Sequence, residues 1–349
     1  LKVDEPTASK YTQAGVDLQR AAKVTKRIGE LALSTFNERV LRGIGTFGAL
    51  YHIGGVASDD TVLVSSVDGV GTKLKIAFIT GRHDTIGRDL VNHCVNDILA
   101  MGALPLYFMD YLAVGSVDPD VIESVVLGIR EGCRSNHIPL IGGETAEMPG
   151  FYAEKEYDLV GFIVGAVDKG SVFDGARIAE GDKIVGLPSN GLHTNGYSLV
   201  RRVLIEDRPG ALDEVLPGMK IPLQEELLKA HRSYLKDVAP LLDLDGLHGM
   251  AHITGGGIID NVPRILPGRV NARIDTRMWD RPAIFGCIQD RGGVSRDEMY
   301  RVFNMGIGFI LVVASSIVDR VIRLLEEDRY GAMRIGEIVP GNGQVELIS

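Results

Sequence analysis

The stretch Val64-Ser-Ser-Val-Asp-Gly-Val-Gly-Thr-Lys73 constrains the fold most tightly. An apolar, β-branched run ends on an acid, and two glycines then lead into Thr72 and Lys73. A strand ending this way leaves backbone that can wrap closely around a ligand at the strand's end. The pattern recurs where a short strand over residues 137–141 runs into Gly142-Gly143-Glu144. Glycine supplies 43 of 349 residues, well above the usual share of roughly 7%. A chain of this length exceeds what one hydrophobic core supports, so two domains are expected.

Val24, Ile28 and Leu31 recur at helical spacing and predict a helix over residues 16–35. A strand follows over 61–67, a helix over 84–101 and a strand over 104–114. Asp118-Pro119 reads as an N-cap with proline at the first helical position, and a nearly all-apolar strand covers 157–167. Strands and helices mix without strict alternation, which favours α+β over a doubly wound sheet. The polar, glycine-bearing segment 168–177 looks like an interdomain crossing, so the expected domains are residues 1–170 and 171–349. In the second half, strands are expected over 183–187, 270–274, 306–314, 333–339 and 345–348. Helices are expected over 197–205, 224–242 and 317–327.

A formal charge of −9 excludes the basic footprint of a nucleic-acid binder. No apolar run approaches the roughly 18 residues needed to span a bilayer, and LKVDEPTASKYTQAGVD carries no apolar signal core, so the expectation is a cytoplasmic protein without a membrane partner. Cys94, Cys133 and Cys287 are widely spaced and contain no CxxC, which points to buried thiols.

Gly43, Gly45 and Gly48 match G-x-G-x-x-G, but a helical pattern precedes them where a dinucleotide fingerprint needs a strand. A glycine turn and a nucleotide loop both fit. Gly71-Thr72-Lys73 reverses the order of a Walker A loop. Asp68 is either an ordinary turn acid or a Mg²⁺ ligand beside a triphosphate, with Gly69, Gly71, Thr72 and Lys73 around the phosphates. Asp97 falls inside the stripe formed by Ile86, Leu90, Cys94, Ile98 and Met101, where an acid needs a partner or a metal. Glu144 is a third acid after a strand. His193, Asn195 and Gly196 precede one helical pattern, and His252, Thr254, Gly255, Gly256 and Gly257 precede another, as a second phosphate site with a proton-transfer group would. His52, His83, His231 and His248 read as structural, and Asp275 and Asp280 as surface acids.

In combination these motifs resemble the phosphoribosylformylglycinamidine cyclo-ligase (AIR synthetase) family of purine biosynthesis. The resemblance is carried by YTQAGVD (11–17), GTFGAL (45–50), DGVGTK (68–73), HDTIG (83–87), VNDI (95–98), GGETAEMPG (142–150), NGLHTNGYSLV (190–200), HITGGG (252–257) and MYRVFN (299–304). DILAMGALP (97–105) fits the wider superfamily's D-x-x-x-x-G-A-x-P signature. It implies a two-domain α+β protomer whose first-domain strands close a β-barrel across a homodimer. It also implies ATP-dependent closure of formylglycinamidine ribonucleotide to aminoimidazole ribonucleotide, with release of ADP and phosphate, through an O-phosphorylated amide. Asp68, Asp97 and Glu144 match the metal positions, and Gly43, Gly45, Gly48, Gly69, Gly71, Thr72 and Lys73 the nucleotide contacts. His193, His252 and Lys73 take catalytic roles, while Asn195, Gly196, Thr254, Gly255, Gly256 and Gly257 hold substrate. ATP and Mg²⁺ are the implied cofactors, and transient contact with neighbouring purine-pathway enzymes fits the same picture. Related activities fit less well: a selenophosphate synthetase carries a reactive Cys near its N-terminus, and the first cysteine here is Cys94. A silent nucleotide-binding scaffold would lose the acidic triplet.

Overall fold

The computed structural model describes residues 18–43, 49–326 and 331–349. The first half runs α1 (Leu18–Leu33), β1 (Val40–Arg42), β2 (Leu50–Tyr51), β3 (Thr61–Gly69), α2 (Leu74–Thr80), α3 (Ile86–Leu99), β4 (Leu104–Val114), α4 (Pro119–Ser135), β5 (Leu140–Glu147) and β6 (Tyr157–Asp168). Its four-stranded sheet has the order β3-β6-β4-β5, with only β4 and β5 parallel. Helices α3 and α4 cover one face, packing Leu90, Cys94, Ile98, Val125 and Ile129 against Phe108, Leu112, Leu159 and Ile163. Helix α4 starts where the sequence predicts, with the Asp118 carboxylate accepting from the backbone N–H groups of Asp120 and Val121.

The second half runs β7 (Lys183–Pro188), α5 (Tyr197–Val200), α6 (Leu223–Leu227), α7 (Leu235–Val238), β8 (Leu247–His252), α8 (Gly257–Asn261), β9 (Val270–Asp275), α9 (Ala283–Gly292), α10 (Arg296–Val302), β10 (Ile307–Val313), α11 (Val318–Glu326), β11 (Met333–Pro340) and β12 (Val345–Ile348). These strands form a six-stranded sheet of order β12-β9-β11-β7-β10-β8, antiparallel except for β12 with β9. Both faces are covered. Tyr197, Phe285, Tyr300 and Phe303 pack on one, and Tyr234, Val238, Leu241, Val321 and Leu325 on the other. Every residue of β10 is therefore buried, which explains its unbroken apolar run. Ile76 and Leu99 of the first half enter these second-half cores, so the two domains share packing.

The helix expected over 224–242 is broken. Helices α6 and α7 stand at its ends, and the chain between Leu228 and Tyr234 is unwound. Met101 lies beyond the end of α3 and is exposed, so it takes no part in the buried stripe. The first sheet is open, with β3 and β5 as its edges; among the described residues no sheet closes into a barrel.

Candidate active site at the domain seam

Helix α3 has a second stripe. Asp89, Asn92, His93, Asn96 and Asp97 recur at three- and four-residue spacing, so they share a side of the helix. Four of them are buried, and Asp97 sits at the stripe's solvent end. Buried amides must find partners, and the unwound chain supplies them. Asn92 Nδ2 donates to the His231 carbonyl at 2.6 Å, and Asn96 Nδ2 to the Arg232 carbonyl at 2.8 Å. The Tyr234 N–H donates to Asn96 Oδ1 at 2.9 Å, and the His231 N–H to Asp89 Oδ1 at 2.7 Å. A continuous helix would have used those backbone groups internally, so the break in 224–242 is the condition for the seam. The seam in turn carries His231 into the site.

At the open end of the stripe lie two carboxylates. Asp68, at the end of β3, accepts from the Gly69 N–H at 2.7 Å and from His93 Nε2 at 2.7 Å. Asp97 accepts from His252 Nδ1 at 2.8 Å and from Ser66 Oγ at 3.1 Å, and its nearer oxygen is 3.8 Å from His93 Nε2. Burial alone would raise both carboxyls; the hydrogen bonds from His93 and His252, with the charge those rings carry when protonated, outweigh it and hold the carboxyls below the ordinary range. Burial would likewise lower His93, yet the Asp68 hydrogen bond and the charges of Asp97 and Asp68 raise it. His93 thus lies against both carboxylates with its ring shifted toward the charged form, as a site suited to a cation would shift it. With 41% of the Asp68 side chain and 27% of Asp97 open to solvent, both can reach an ion. Two carboxylates with room for phosphate oxygens and water are the donor set Mg²⁺ takes, so the residues fit that ion.

Behind the acids stands a cluster of histidines. His252 Nε2 lies 3.0 Å from His231 Nε2, and the rings of His231 and His193 stack with centroids 4.0 Å apart. His193 has φ +59°, a left-handed conformation uncommon outside glycine. Its ring fits because position 308 is glycine: a Cβ there would lie 2.6 Å from His193 Cε1. Asn195 and Gly255 also meet, since a Cβ on Gly255 would lie 3.1 Å from Asn195 Oδ1. The two histidine-and-glycine loops therefore converge as the sequence predicts, with Thr254 and Gly256 half-buried and Gly196 backed by Phe303.

Two expected residues are placed elsewhere. Lys73, expected at the phosphates and in catalysis, is completely buried. Its Nζ donates to Asp89 Oδ1 at 2.8 Å, to the Lys229 carbonyl at 2.7 Å and to the His193 carbonyl at 3.4 Å, so its three N–H groups tie the seam together. Burial pushes Lys73 down and Asp89 up, each toward its neutral form. Glu144 pairs with Tyr111 of β4 on the uncovered face of the sheet. Asp68 lies across three strand spacings, roughly 14 Å by the usual 4.8 Å per strand, and on the helix-covered face. Gly143 owes its lack of a side chain to Asp110, whose Oδ1 would lie 2.5 Å from a Cβ there. Thr72 is exposed and 3.0 Å from Ser198 Oγ. Gly69 and Gly71 lead from β3 into α2, and Gly71 has φ +65°. Gly43 is half-buried against Phe36, whereas Gly45 and Gly48 lie outside the described residues, as does YTQAGVD. Sequence reasoning missed His93 and read His231 as merely structural; their spacing on the polar stripe of α3 and beside its partner segment was the available signal.

Residues 47–167 match the family described as AIR synthase related protein, N-terminal domain, and residues 179–348 the corresponding C-terminal domain. A phosphoribosylformylglycinamidine cyclo-ligase of Bacillus cytotoxicus is 48% identical over 336 residues, covering 96% of this chain and 97% of that protein. The chain belongs to the phosphoribosylformylglycinamidine cyclo-ligase family. Another cyclo-ligase, from Trichlorobacter lovleyi, is also 48% identical over 96% of both chains. The cyclo-ligase fold is shared more widely. A thiamine-monophosphate kinase from Stenotrophomonas maltophilia superposes with TM-score 0.66 at 20% identity, covering 92% of this chain and 94% of the other. The hydrogenase maturation protein HypE in complex with ATP gives TM-score 0.66 at 18% identity, covering 92% and 90%. Among the described residues no helix is long and apolar enough to cross a membrane.

Proposed function

We infer that this chain is a cyclo-ligase that closes formylglycinamidine ribonucleotide to aminoimidazole ribonucleotide, spending ATP and releasing ADP and phosphate, in purine biosynthesis. The observation that carries the reading at the site is the meeting of Asp68 and Asp97 with His252 and His193, drawn from both domains onto one seam. Relatives of nearly the same length, named for this activity, support it.

The chemical difficulty is an amide oxygen, which is a poor leaving group. Phosphorylation turns it into phosphate, and an amidine nitrogen can then attack the same carbon and close the ring. Asp68 and Asp97 would hold Mg²⁺, which when bound supplies positive charge against the polyphosphate. The backbone at Gly69 and Gly71, with Thr72, lies beside them for nucleotide, and Gly43, Gly45 and Gly48 complete that loop set in our reading. His252 is neutral at physiological pH, because burial lowers it more than Asp97 raises it, and its Nδ1 is held by that carboxylate. His193 is neutral for the same reason of burial. Either imidazole can take the proton an amidine nitrogen loses on attack. Asn195, Gly196, Thr254, Gly255, Gly256 and Gly257 form the rim for the substrate's phosphate and ribose.

In this reading the domains divide near residue 170, the enzyme is cytoplasmic, and it works as a homodimer. The uncovered face of the first sheet supports the dimer: Leu63 and Val67 are each 59% exposed there, in line with Leu104 and Tyr111. Burying that face against its copy would close the strands into a barrel, and it would let Glu144 serve the partner's metal rather than its own.

The test is ADP release from ATP and Mg²⁺ with and without formylglycinamidine ribonucleotide, with colorimetric detection of the aminoimidazole. Equal amounts of ADP and aminoimidazole, formed only with that substrate, are expected. ATP turnover independent of the substrate would refute the assignment.

A further inference from the structure

His193, His231 and His252 are all buried, and one ring nitrogen from each lies within 4.8 Å of the others. The rest of the molecule has already committed the outer nitrogens of two of them. Asp97 accepts from His252 Nδ1 at 2.8 Å, which leaves His252 Nε2 as a lone pair pointing inward. His231 Nδ1 faces Thr194 Oγ1 at 3.4 Å, and its Nε2 points at that lone pair from 3.0 Å. His193 is 2% exposed, and neither Nδ1 nor Nε2 has a hydrogen-bond partner among the described residues. A buried polar atom without a partner costs about 1–3 kcal/mol, and two on one ring call for a ligand.

We propose that His193, His231 and His252 form a three-imidazole site for a divalent transition cation of the zinc class, separate from the carboxylate site for Mg²⁺. Three nitrogen donors and no oxygen select against Mg²⁺ and for Zn²⁺, Co²⁺ or Ni²⁺. Burial, foremost, together with the neighbouring imidazoles keeps His193 and His231 uncharged and ready to ligate. The Asp97–His252 hydrogen bond supplies the carboxylate behind a ligating histidine that orients the ring and raises its basicity. Tetrahedral zinc at 2.0–2.1 Å separates its nitrogens by about 3.4 Å. The 3.0 Å pair would open slightly to reach that separation, and the His193 ring, now stacked on His231, would have to turn to bring in the third nitrogen. A water or a substrate oxygen would take the fourth position, and because the cation would occupy the lone pairs that His193 and His252 offer for proton transfer, the cation-bound and proton-accepting states of the cluster are alternatives. Without a cation, the competing arrangement is a His231 Nε2–H donated to His252 Nε2, with His193 stacked and unpaired.

Tag-free protein stripped with a chelator is titrated with Co²⁺ in excess Mg²⁺ and followed by visible absorption, a readout independent of turnover. The expected result is one Co²⁺ per chain with the intense d–d bands of four-coordinate cobalt, displaced by Zn²⁺ and indifferent to Mg²⁺. His231→Asn should weaken binding at least ~100-fold, since losing a ligand exceeds the 10–100-fold typical of losing a supporting group. His193→Ala, which sacrifices no hydrogen bond of its ring, gives a second variant with the same expectation should His231→Asn fail to fold. Absence of the bands in the unmodified protein, or bands that survive either folded variant, would overturn the site. Failure of the cyclo-ligase assay alone would leave this result unchanged.

Discussion

Asp97 receives both the His252 ring and the Ser66 hydroxyl, and it faces Asp68 across His93. Asp97→Asn keeps the size and an acceptor oxygen while removing half the charge that would hold Mg²⁺. Turnover should fall at least ~100-fold, the several kcal/mol a metal-held charge supplies, with the fold retained by circular dichroism; near-normal rates would refute the metal assignment. Lys73 should behave in the opposite manner. Lys73→Met leaves Asp89 buried without its cation, so urea unfolding should show a loss of ~3–5 kcal/mol. Adding Asp89→Asn, which still accepts the His231 N–H, should recover part of that loss. Asp110 offers a pH test. Burial raises its carboxyl from 3.8 to about 7, so the folded chain keeps a proton that the unfolded chain releases. Stability from this group is fullest below about pH 4 and falls as pH rises to about 7, by up to ~1.4 kcal/mol per unit. Asp110→Asn should flatten that slope in melting curves taken at several pH values.

At the scale of elements, the legible parts were those with local signals. The Asp118-Pro119 cap, the apolar run of β10 and the strand-to-glycine junction at Asp68 each declare themselves within a few residues. The broken helix between α6 and α7 did not, because Leu223, Leu227 and Leu228 keep helical spacing while the hydrogen bonds that unwind the next residues come from α3, more than a hundred positions away. The same distance hid His231, and it hid the Lys229 and His193 carbonyls that, with nearby Asp89, hold Lys73 in the seam and not at a phosphate. Asp97 was legible as an acid on a helix that otherwise packs, although its partner His252 was not. The loop carrying His193 supplies the test at this scale. His193→Ala should cut substrate-dependent ADP release at least tenfold, within the range for a lost acid–base group. A near-normal rate would make the left-handed histidine a packing residue.

Over the whole molecule, the first sheet has one face under α3 and α4 and one face bare, with Leu63, Val67, Leu104 and Tyr111 exposed along it. Glu144 stands on the bare face, and Asp68 and Asp97 lie on the covered side. If a second copy covers the bare face, Val67→Arg should give monomers by analytical ultracentrifugation, because it buries a charge in an apolar contact. Activity should fall with the dimer although every seam residue is intact. Complementation separates a Glu144 that acts across the dimer from one that acts within its own chain. Asp97→Asn and Glu144→Gln are each expected to be inactive as homodimers. If Glu144 serves the partner, a heterodimer of the two variants has one site in which both acids are native and one in which neither is. Random reassortment makes half the dimers mixed, so an equimolar mixture should recover about a quarter of native activity. If each Glu144 serves its own chain, every site in the mixture lacks one acid and no activity returns.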